Sequence, residues 1–324
     1  MSEVAAIVLA AGKSTRMRSE LPKVLHEVCG RPMLAYVLSA CRLSGVDRIL
    51  VVVGHEKDKV KAQFAADRDL VFIEQSEQRG TGHAVMCCRE ALSGFDGSVL
   101  VVAGDMPLVR RETLADLVDE RVLRGDALTI ATTELDDPTG YGRIVRNKLG
   151  ELQSIVEHRD CTEEQLAIPE VNVSYYCFDS AKLIDGLSRL KPNPAKGEYY
   201  LTDLVEQFRQ NGDKISAVVK VQASDALGIN SRLDLAMVTR AMQDRIQRAL
   251  LNDGVSIVDP DNTWIEADVS VGTDTIIFPF SFIGQGATIG EGCKVGPFAH
   301  VKSGETIEDS SVVGCATRME VAAS

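Results

Sequence analysis

The hydrophobic pattern of the first 135 residues alternates between two kinds of segment. Short runs of Val, Ile and Leu with few polar residues are typical of buried strands, and longer segments with apolar residues at helical spacing are typical of amphipathic helices. This alternation predicts a mostly parallel sheet with helices on both faces. The predicted strands are Val4–Leu9, Ile49–Val53, Val71–Ile73, Val99–Ala103 and Leu128–Thr132, and the predicted helices are Pro32–Leu43, Lys57–Ala66, Gly82–Leu92 and Arg111–Leu123.

The pattern changes between Gly140 and about Val221, where shorter apolar runs are broken by Gly, Pro and polar turns. We interpret this region as an insertion that closes over the sheet and forms a second wall for a substrate. A helical segment from about Ser231 to Leu251 follows and leads away from the sheet. The strands predicted in the insertion are Arg143–Arg146, Leu152–Val156 and Val171–Phe178.

The last segment contains an internal repeat of six residues. One position of the repeat is Ile or Val in every copy, and the residue two places before it is mostly small. Such a period is typical of a β-helix in which three repeats form one triangular coil, so we predict about three coils that self-associate through their flat faces. Ordinary strands with accidental spacing are the alternative. The aliphatic positions are Ile265, Val271, Ile277, Ile283, Ile289, Val295, Val301, Ile307 and Val313.

Composition restricts the class of protein further. With 45% hydrophobic and 25% charged residues, the 324-residue chain has the balance of a globular protein with room for two domains. Its formal net charge of −12 argues against duplex nucleic acid or an anionic membrane as the main partner, because both require a basic surface. No apolar run could span a membrane and the start has no secretory pattern, so we expect a cytoplasmic protein. The eight cysteines contain no C-x-x-C pair, which predicts reduced thiols.

The loop after the first predicted strand combines small residues with cations. Between residues 12 and 31 five Lys or Arg stand against two Glu, a local charge of +3 in an acidic chain. Small residues let backbone N–H groups approach phosphates, and the cations neutralise them. The loop is not a P-loop, because Ile7 stands where that motif needs glycine, and it lacks the dinucleotide fingerprint, because the next glycine after Gly12 is Gly30. On composition alone, an exposed loop with solvated charges stays an alternative.

Several blocks of the chain resemble, in order, one enzyme family. Leu9-Ala10-Ala11-Gly12-Lys13-Ser14-Thr15-Arg16-Met17 with Pro22-Lys23 is similar to the L-x-x-G-x-G-x-R-M…P-K signature of the sugar-phosphate nucleotidyltransferases. Ser14 replaces the second glycine, as in the bacterial branch that makes UDP-N-acetylglucosamine and joins an N-acetylglucosamine-1-phosphate uridylyltransferase to a glucosamine-1-phosphate acetyltransferase. The further blocks begin at Gln75, Gly104, Pro138, Ile155, Glu170, Glu198 and Gly228.

The resemblance implies an α/β fold with a Rossmann-like, mostly parallel nucleotidyltransferase domain at residues 1–230. A linker helix at 231–251 and a short left-handed parallel β-helix at 252–324 would follow. The implied reaction makes UDP-N-acetylglucosamine and pyrophosphate from UTP and N-acetylglucosamine-1-phosphate, for peptidoglycan and lipopolysaccharide synthesis. In the family the β-helix is longer and its later coils carry the acetyltransferase site. We therefore expect no acetyltransferase activity and a scaffold role for the β-helix, as a homotrimer.

The resemblance also implies roles for single residues. Arg16 and Lys23 would act on the phosphates as catalytic cations, and Asp105 with Asn230 would bind Mg²⁺. From the residues alone, an Asp after a strand is as often a turn or helix cap, and Asn230 could cap the following helix. Uracil would meet Gln75, Gly80 and Thr81, and the sugar would meet Gly140, Glu157 and Asn172. The full set of implied substrate-binding residues is Leu9, Ala10, Ala11, Gly12, Lys23, Gln75, Gly80, Thr81, Ala103, Gly104, Asp105, Gly140, Glu157, Asn172 and Asn230.

Two departures from the family pattern concern the sugar. Asn172 is followed by Val173-Ser174 where Thr-Gly is common, and Ala103 stands where a bulky residue is frequent. Another sugar 1-phosphate or another nucleoside triphosphate is therefore the nearest alternative substrate. A non-catalytic scaffold subunit is an alternative of a different class, against which the joint presence of Arg16, Lys23, Asp105 and Asn230 argues.

Overall fold

The structure, a computed structural model, describes residues 3–13, 15–193 and 197–314. Ser14, Cys315 and the C-terminal tail lie outside the described residues. The chain divides into two compact units, one with Met1–His26 and Met33–Arg232, the other with Glu27–Pro32 and Leu233–Ser324.

Helices and strands are numbered in their order along the chain. The helices are α1 Met33–Leu43, α2 Lys57–Gln63, α3 Thr81–Met86, α4 Arg111–Arg124, α5 Glu163–Leu166, α6 Ser180–Arg189, α7 Asp203–Gln210 and α8 Arg232–Asn252. The strands are β1 Glu3–Ala10, β2 Glu27–Val28, β3 Arg31–Pro32, β4 Arg48–Val53, β5 Leu70–Glu74, β6 Gly97–Ala103, β7 Leu128–Glu134, β8 Gly142–Arg146, β9 Leu152–Val156, β10 Glu170–Asp179, β11 Ile215–Val219, β12 Ser256–Ile257, β13 Trp264–Ile265, β14 Ser270–Val271, β15 Ile276–Ile277, β16 Phe282–Ile283, β17 Thr288–Ile289, β18 Lys294–Val295, β19 His300–Val301, β20 Thr306–Ile307 and β21 Val312–Val313.

One twisted sheet forms the centre of the first unit, with the strand order β11-β7-β10-β6-β1-β4-β5. The run β6, β1, β4 and β5 is parallel, and the predicted α/β fold is confirmed. Strands β6, β1 and β4 are buried on both faces, which explains their nearly unbroken Val, Ile and Leu content. Leu9 and Ala103 pair in register, so the carboxyl ends of β1 and β6 meet at one edge of the sheet.

The region from Gly140 to Val221 differs from the prediction. Strand β10, predicted as part of an insertion, lies inside the sheet, antiparallel between β6 and β7. Its core residues are buried on both faces, which an insertion strand over the sheet would not be. Only β8 and β9 leave the main strand order, pairing at the side of β10. Helix α6, which was not predicted, begins where the Asp179 carboxylate accepts a hydrogen bond from the Lys182 N–H at 3.0 Å.

The second unit contains the predicted parallel β-helix. Its short strands form three sheets, β12-β15-β18-β21, β13-β16-β19 and β14-β17-β20, each step advancing the chain by one coil of eighteen residues. Most of the repeated aliphatic side chains fill its core, with Ile265, Ile277, Ile283 and Val295 fully buried. Three residues after most of them, the backbone turns with a positive φ, even where the residue is not glycine, as at Asp274 (φ 61°). The six-residue period therefore determines both which side chains fill the core of the β-helix and where its backbone turns.

Two further observations concern thiols and membranes. The seven described cysteines are free thiols, most of them buried, as the sequence predicts. Among the helices in the described part of the chain, none is long and apolar enough to cross a membrane.

Candidate active site

A cavity of about 480 Å³ opens at the carboxyl ends of β1 and β6, the edge at which ligands of such sheets bind. We name two of its sides. The loop wall consists of Leu9–Lys13, Lys23, Gln75, Gly80 and Thr81, and the β10 wall consists of Ser174 and Tyr176. Val24, Gln78, Ala84, Ala103, Asp105, Glu198 and Leu201 line the remainder.

Small residues keep the backbone of the loop wall accessible. A Cβ on Gly12 would meet no atom of the described residues within 4 Å, so the space beside this glycine is open. The Gln78 amide donates to the Ala11 carbonyl at 2.9 Å and fixes the loop from the opposite side. An open loop with a fixed backbone next to Lys13 and Lys23 suits a polyanionic ligand.

Gln75 and Gly80 form the other half of the loop wall. The Gln75 side chain is buried, and its Nε2 donates to the Gly80 carbonyl and to His83 Nδ1, both at 3.1 Å. His83 Nδ1 is therefore the acceptor. Gly80 has a φ of 96°, and a Cβ there would lie 2.5 Å from the Tyr199 carbonyl oxygen, so the close approach of this segment requires glycine. The Gln75 carbonyl oxygen is left for a ligand that donates, such as the N–H of a pyrimidine base.

Lys23, Asp105 and Asn230 come together although 207 residues separate the first from the last. The Lys23 ammonium donates to Asp105 Oδ2 and, at 3.3 Å, to Asn230 Oδ1. The backbone fixes this meeting, because the Ile229 N–H donates to the Asp105 carbonyl at 3.1 Å. The space between the two side-chain oxygens is thus one that a cation occupies. Helix α8 begins at Arg232, two residues after Asn230.

Arg16 lines a smaller cavity of about 220 Å³ together with Gly12, Lys13, Thr15, Lys23 and Asn230. Three of these residues also line the larger cavity, so the two spaces adjoin. The cations Lys13, Arg16 and Lys23 therefore surround one place, next to the carboxylate of Asp105.

The β10 wall results from a break in the pairing of β10. The register with β7 shifts between Asn172 and Tyr175, and Ser174 in the bulge has a φ of 60°. The Asn172 amide donates to the Tyr176 hydroxyl at 2.7 Å, and its carbonyl oxygen accepts from the Ser174 N–H at 3.0 Å. Burial raises the pKa of Tyr176 to about 12, while the Asn172 amide and the nearby Ser174 hydroxyl act in the opposite direction.

Glu198 adds a carboxylate to the lining of the cavity. Its Oε2 accepts from the Tyr200 hydroxyl at 2.8 Å. Burial and this carboxylate raise the pKa of Tyr200 to about 12, so the phenol keeps its proton and orients Glu198. The Leu201 N–H donates to the Thr81 hydroxyl at 3.1 Å, which attaches this segment to the loop wall.

The structure separates the predicted site residues into two sets. Gly140, Glu157 and Asn172 do not line the large cavity, but two of them act on its β10 wall: Asn172 donates to Tyr176, while burial and the charge of Glu157 together raise the pKa of Tyr176. Gly104 lies behind it, with its N–H donating to the Leu9 carbonyl at 2.9 Å. The predicted residues that line the large cavity are Leu9, Ala10, Ala11, Gly12, Lys23, Gln75, Gly80, Thr81, Ala103 and Asp105, and Arg16 and Asn230 line the adjoining one.

The two hydroxyls of the β10 wall were not predicted as site residues. The bulge breaks the alternation that assigns side chains to the faces of a strand, so no regular pattern points to them. The only signal in the sequence was the departure from the family pattern at Val173-Ser174.

A metal in this site would need ligands from outside the protein. Within residues 3–13, 15–193 and 197–314, no group of three or more His, Cys, Asp or Glu side chains could hold an ion. Asp105 and Asn230 supply two oxygens, and phosphate oxygens and water would have to complete the coordination of a hard cation.

The parallel sheet, the small-residue loop at its carboxyl edge and the surrounding cations define a nucleotide-binding α/β protein of the nucleotidyltransferase class. The family described as "MobA-like NTP transferase domain" matches residues 6–168. The chain is 43% identical to the bifunctional protein GlmU of Geobacter metallireducens, 45% to that of Trichlorobacter lovleyi and 40% to that of Pelobacter propionicus, over 91%, 90% and 96% of its length. It belongs to the family of these GlmU proteins, within the MobA-like NTP transferases.

The match covers only part of those relatives. The chain spans 62%, 64% and 70% of their lengths, respectively. In structure, the chain is similar to UDP-glucose pyrophosphorylase complexed with UDP-glucose, with a TM-score of 0.61 and 18% sequence identity over 76% of this chain and 100% of that one. At this identity the likeness concerns the fold alone.

Proposed function

We propose that the first unit is a uridylyltransferase that makes UDP-N-acetylglucosamine and pyrophosphate from UTP and N-acetylglucosamine-1-phosphate in the cytoplasm. The observation that carries the proposal is that the loop wall, Asp105 and the hydroxyl-bearing residues of the β10 wall line one cavity. A nucleotide and a sugar phosphate can therefore lie side by side in it. The relatives' names support the family, and the cavity supports the class of reactants.

In the proposed reaction an oxygen of the sugar phosphate attacks the α-phosphorus of UTP, and the bond to pyrophosphate breaks. The nucleophile is already an anion, so no side chain has to remove a proton. The task of the protein is to bring two anions together and to stabilise the charge on the phosphoryl oxygens. Lys13, Arg16 and Lys23 suit this task, and Gln75 with Gly80 suits the donor and acceptor edge of uracil.

We propose Asp105 and Asn230 as the protein ligands of Mg²⁺. The Lys23 ammonium between their oxygens supports this, because it indicates that the position accommodates positive charge. Carboxylate and amide oxygens are ligands that Mg²⁺ accepts, with phosphate oxygens and water in the other places. When bound, the ion would neutralise phosphate charge. Lys23 would then donate to a phosphate oxygen instead of to Asp105.

The test is pyrophosphate release in the presence of Mg²⁺. UTP, dTTP, CTP and GTP are each combined with N-acetylglucosamine-1-phosphate, glucose-1-phosphate and glucosamine-1-phosphate. We expect release with UTP and the N-acetylated sugar above all other pairs. A different preferred pair would contradict the substrate assignment, and no release with any pair would favour the non-catalytic scaffold.

We further propose that the second unit forms a homotrimer. Trp264, Phe282 and His300 stand in register on one outer face of the β-helix, and the rings of Phe280 and Phe298 stack at 5.2 Å. These two phenylalanines are 55% and 61% exposed. Adjacent exposed aromatic rings of this kind are typical of an interface between proteins.

Light scattering during gel filtration tests the trimer. The wild-type chain should have three times the mass of the 35.1 kDa monomer. Phe280→Asn with Phe298→Asn should give monomers, since asparagine suits the left-handed backbone of both positions but removes the rings. The control is Leu149→Asn, at an 83% exposed leucine of the first unit. A monomeric wild type, or a trimeric double variant, would contradict the assignment.

A further inference from the structure

The two departures of this chain from its family pattern meet in one place. Ala103 and Ser174 both line the large cavity. Ala103 ends β6, and β6 pairs with β10, in which Tyr175 stands opposite Val102. The small side chain of Ala103 therefore leaves the end of β6 open towards the β10 wall. One of the two hydroxyl-bearing residues of this wall, Ser174, is thus a position at which the chain departs from the family pattern.

Ser174 has a backbone that serine rarely adopts. Its φ of 60° lies in the left-handed region, where a Cβ costs free energy and glycine does not. Such strain persists where the surrounding structure supports it, and it is concentrated at binding sites. The strained residue here is half-buried and borders the cavity. The side chain at this position is thus a candidate for direct contact with a ligand.

Asn172 contacts both residues of the β10 wall. Both ends of its amide are engaged, Nδ2 with the Tyr176 hydroxyl and Oδ1 with the Ser174 N–H. Because the Tyr176 oxygen accepts this hydrogen bond, its own proton can be donated to a ligand or shared with Ser174. The phenol is buried apart from its edge on the cavity, so it is held in one orientation.

We propose that the Ser174 and Tyr176 hydroxyls are contacts that determine which sugar phosphate is accepted. The inference rests on the proposed function. Two hydroxyl side chains in the same cavity as the Glu198 carboxylate offer donors and acceptors to the polar substituents of a hexose ring. A sugar that leaves these groups unpaired is disfavoured, because a buried polar group without a partner is costly.

The experiment compares the activity of each variant with two different sugar phosphates. Tyr176→Phe, Ser174→Ala and Ser174→Gly are assayed for kcat/KM with N-acetylglucosamine-1-phosphate and with glucose-1-phosphate, and for the KM of UTP. We expect each variant to lower the ratio between the preferred and the second sugar by about tenfold, the effect of one lost hydrogen bond to a buried group, with the KM of UTP unchanged.

Two controls separate the hydroxyl from the backbone. Ser174→Gly should raise the melting temperature relative to Ser174→Ala while losing the same discrimination, because glycine relieves the strain. Ser310 in the second unit has a similar φ of 59°, so Ser310→Gly and Ser310→Ala should show the stability effect with no change in the sugar ratio.

An unchanged sugar ratio in the folded Ser174 and Tyr176 variants would overturn the inference while leaving the proposed function intact. Loss of all release in the wild type would overturn the proposed function and this inference with it. If Tyr176→Phe does not fold, the two Ser174 variants decide.

Discussion

The two named walls of the cavity differ in how they recognise a ligand. The loop wall offers backbone groups, the Gln75 amide and the cations Lys13 and Lys23 to a ligand. These groups suit the base and the phosphates of a nucleoside triphosphate. The β10 wall offers two side-chain hydroxyls that a strained bulge brings into place. We propose that short contiguous motifs bind the phosphates, whereas selectivity for the sugar depends on side chains that one irregularity of a strand positions. If the two walls act separately, a change in one should leave the task of the other intact.

The largest expected effect is at the metal ligand. Asp105→Asn removes the charged one of the two proposed oxygens, and we expect turnover to fall by about 10³, the several kcal/mol that a bound metal contributes to charge stabilisation. Because the lost interaction concerns the phosphates, the ratio of kcat/KM between the two sugar phosphates should stay unchanged. Asp136→Asn, outside the cavity, is the control. Unchanged turnover of Asp105→Asn in Mg²⁺ would show that the metal assignment is wrong.

Arg16→Ala should cost slightly less. Removing one preorganised donor from phosphoryl oxygens lowers turnover by about 10²–10³. The measurement is steady-state pyrophosphate release, with the exposed Arg68→Ala as the matched control. Arg16 is proposed to act on phosphoryl oxygens and not on the sugar ring. A loss of turnover restricted to one sugar phosphate would therefore contradict the separate roles of the two walls.

Lys23→Ala should change metal affinity in the opposite direction from activity. The ammonium of Lys23 donates to the oxygens of Asp105 and Asn230, so a divalent ion must displace it. In nucleotide-free protein we expect Mn²⁺ to bind about tenfold more tightly to the variant, the equivalent of one charge-assisted hydrogen bond. Electron paramagnetic resonance of free Mn²⁺ measures this, with the exposed Lys148→Ala as control. Equal or weaker binding would exclude a metal position between these two oxygens.

The smallest expected effect is a pH dependence of stability from the β10 wall. The pKa of Tyr176 is about 12 in the folded chain, against about 10 in an unfolded one. Above pH 10 the unfolded state therefore binds fewer protons, and the free energy of unfolding falls by up to about 1.4 kcal/mol per pH unit as pH rises from 10 to 12. Urea unfolding of wild type and Tyr176→Phe between pH 9 and 11 should show a shallower slope for the variant. Identical slopes would contradict the buried, neutral phenol.

Most of the loop wall was predicted through the resemblance to the nucleotidyltransferase family, because that resemblance is carried by short contiguous blocks of the sequence. Leu9–Gly12, Gly80 and Thr81 each stand within a few residues of a strand end or a helix start. The β-helix was predictable from the sequence itself, since one residue in six repeats the same environment from Ile265 to Val313. Local periodicity is sufficient for the β-helix, whereas the loop wall also required the family resemblance.

The features that could not be predicted from the sequence depend on contacts between segments that are far apart along the chain. The place of β10 inside the sheet depends on its pairing with β6 and β7, which no local pattern specifies. The segment Glu27–Pro32 belongs to the second unit although it lies 201 residues before Leu233, through contacts such as the Arg31–Asp268 ion pair at 3.2 Å. Tyr176 was missed because the bulge at Ser174 changes which side chains share a face.

The most direct test of the central claim is a crystal structure of the chain with UDP-N-acetylglucosamine and Mg²⁺. We predict uracil against Gln75 and Gly80, the diphosphate near Arg16 and Lys23, and the sugar within hydrogen-bond distance of the Ser174 and Tyr176 hydroxyls. A product whose sugar ring lies away from the β10 wall, or whose base leaves the loop wall, would contradict the separate roles of the two walls.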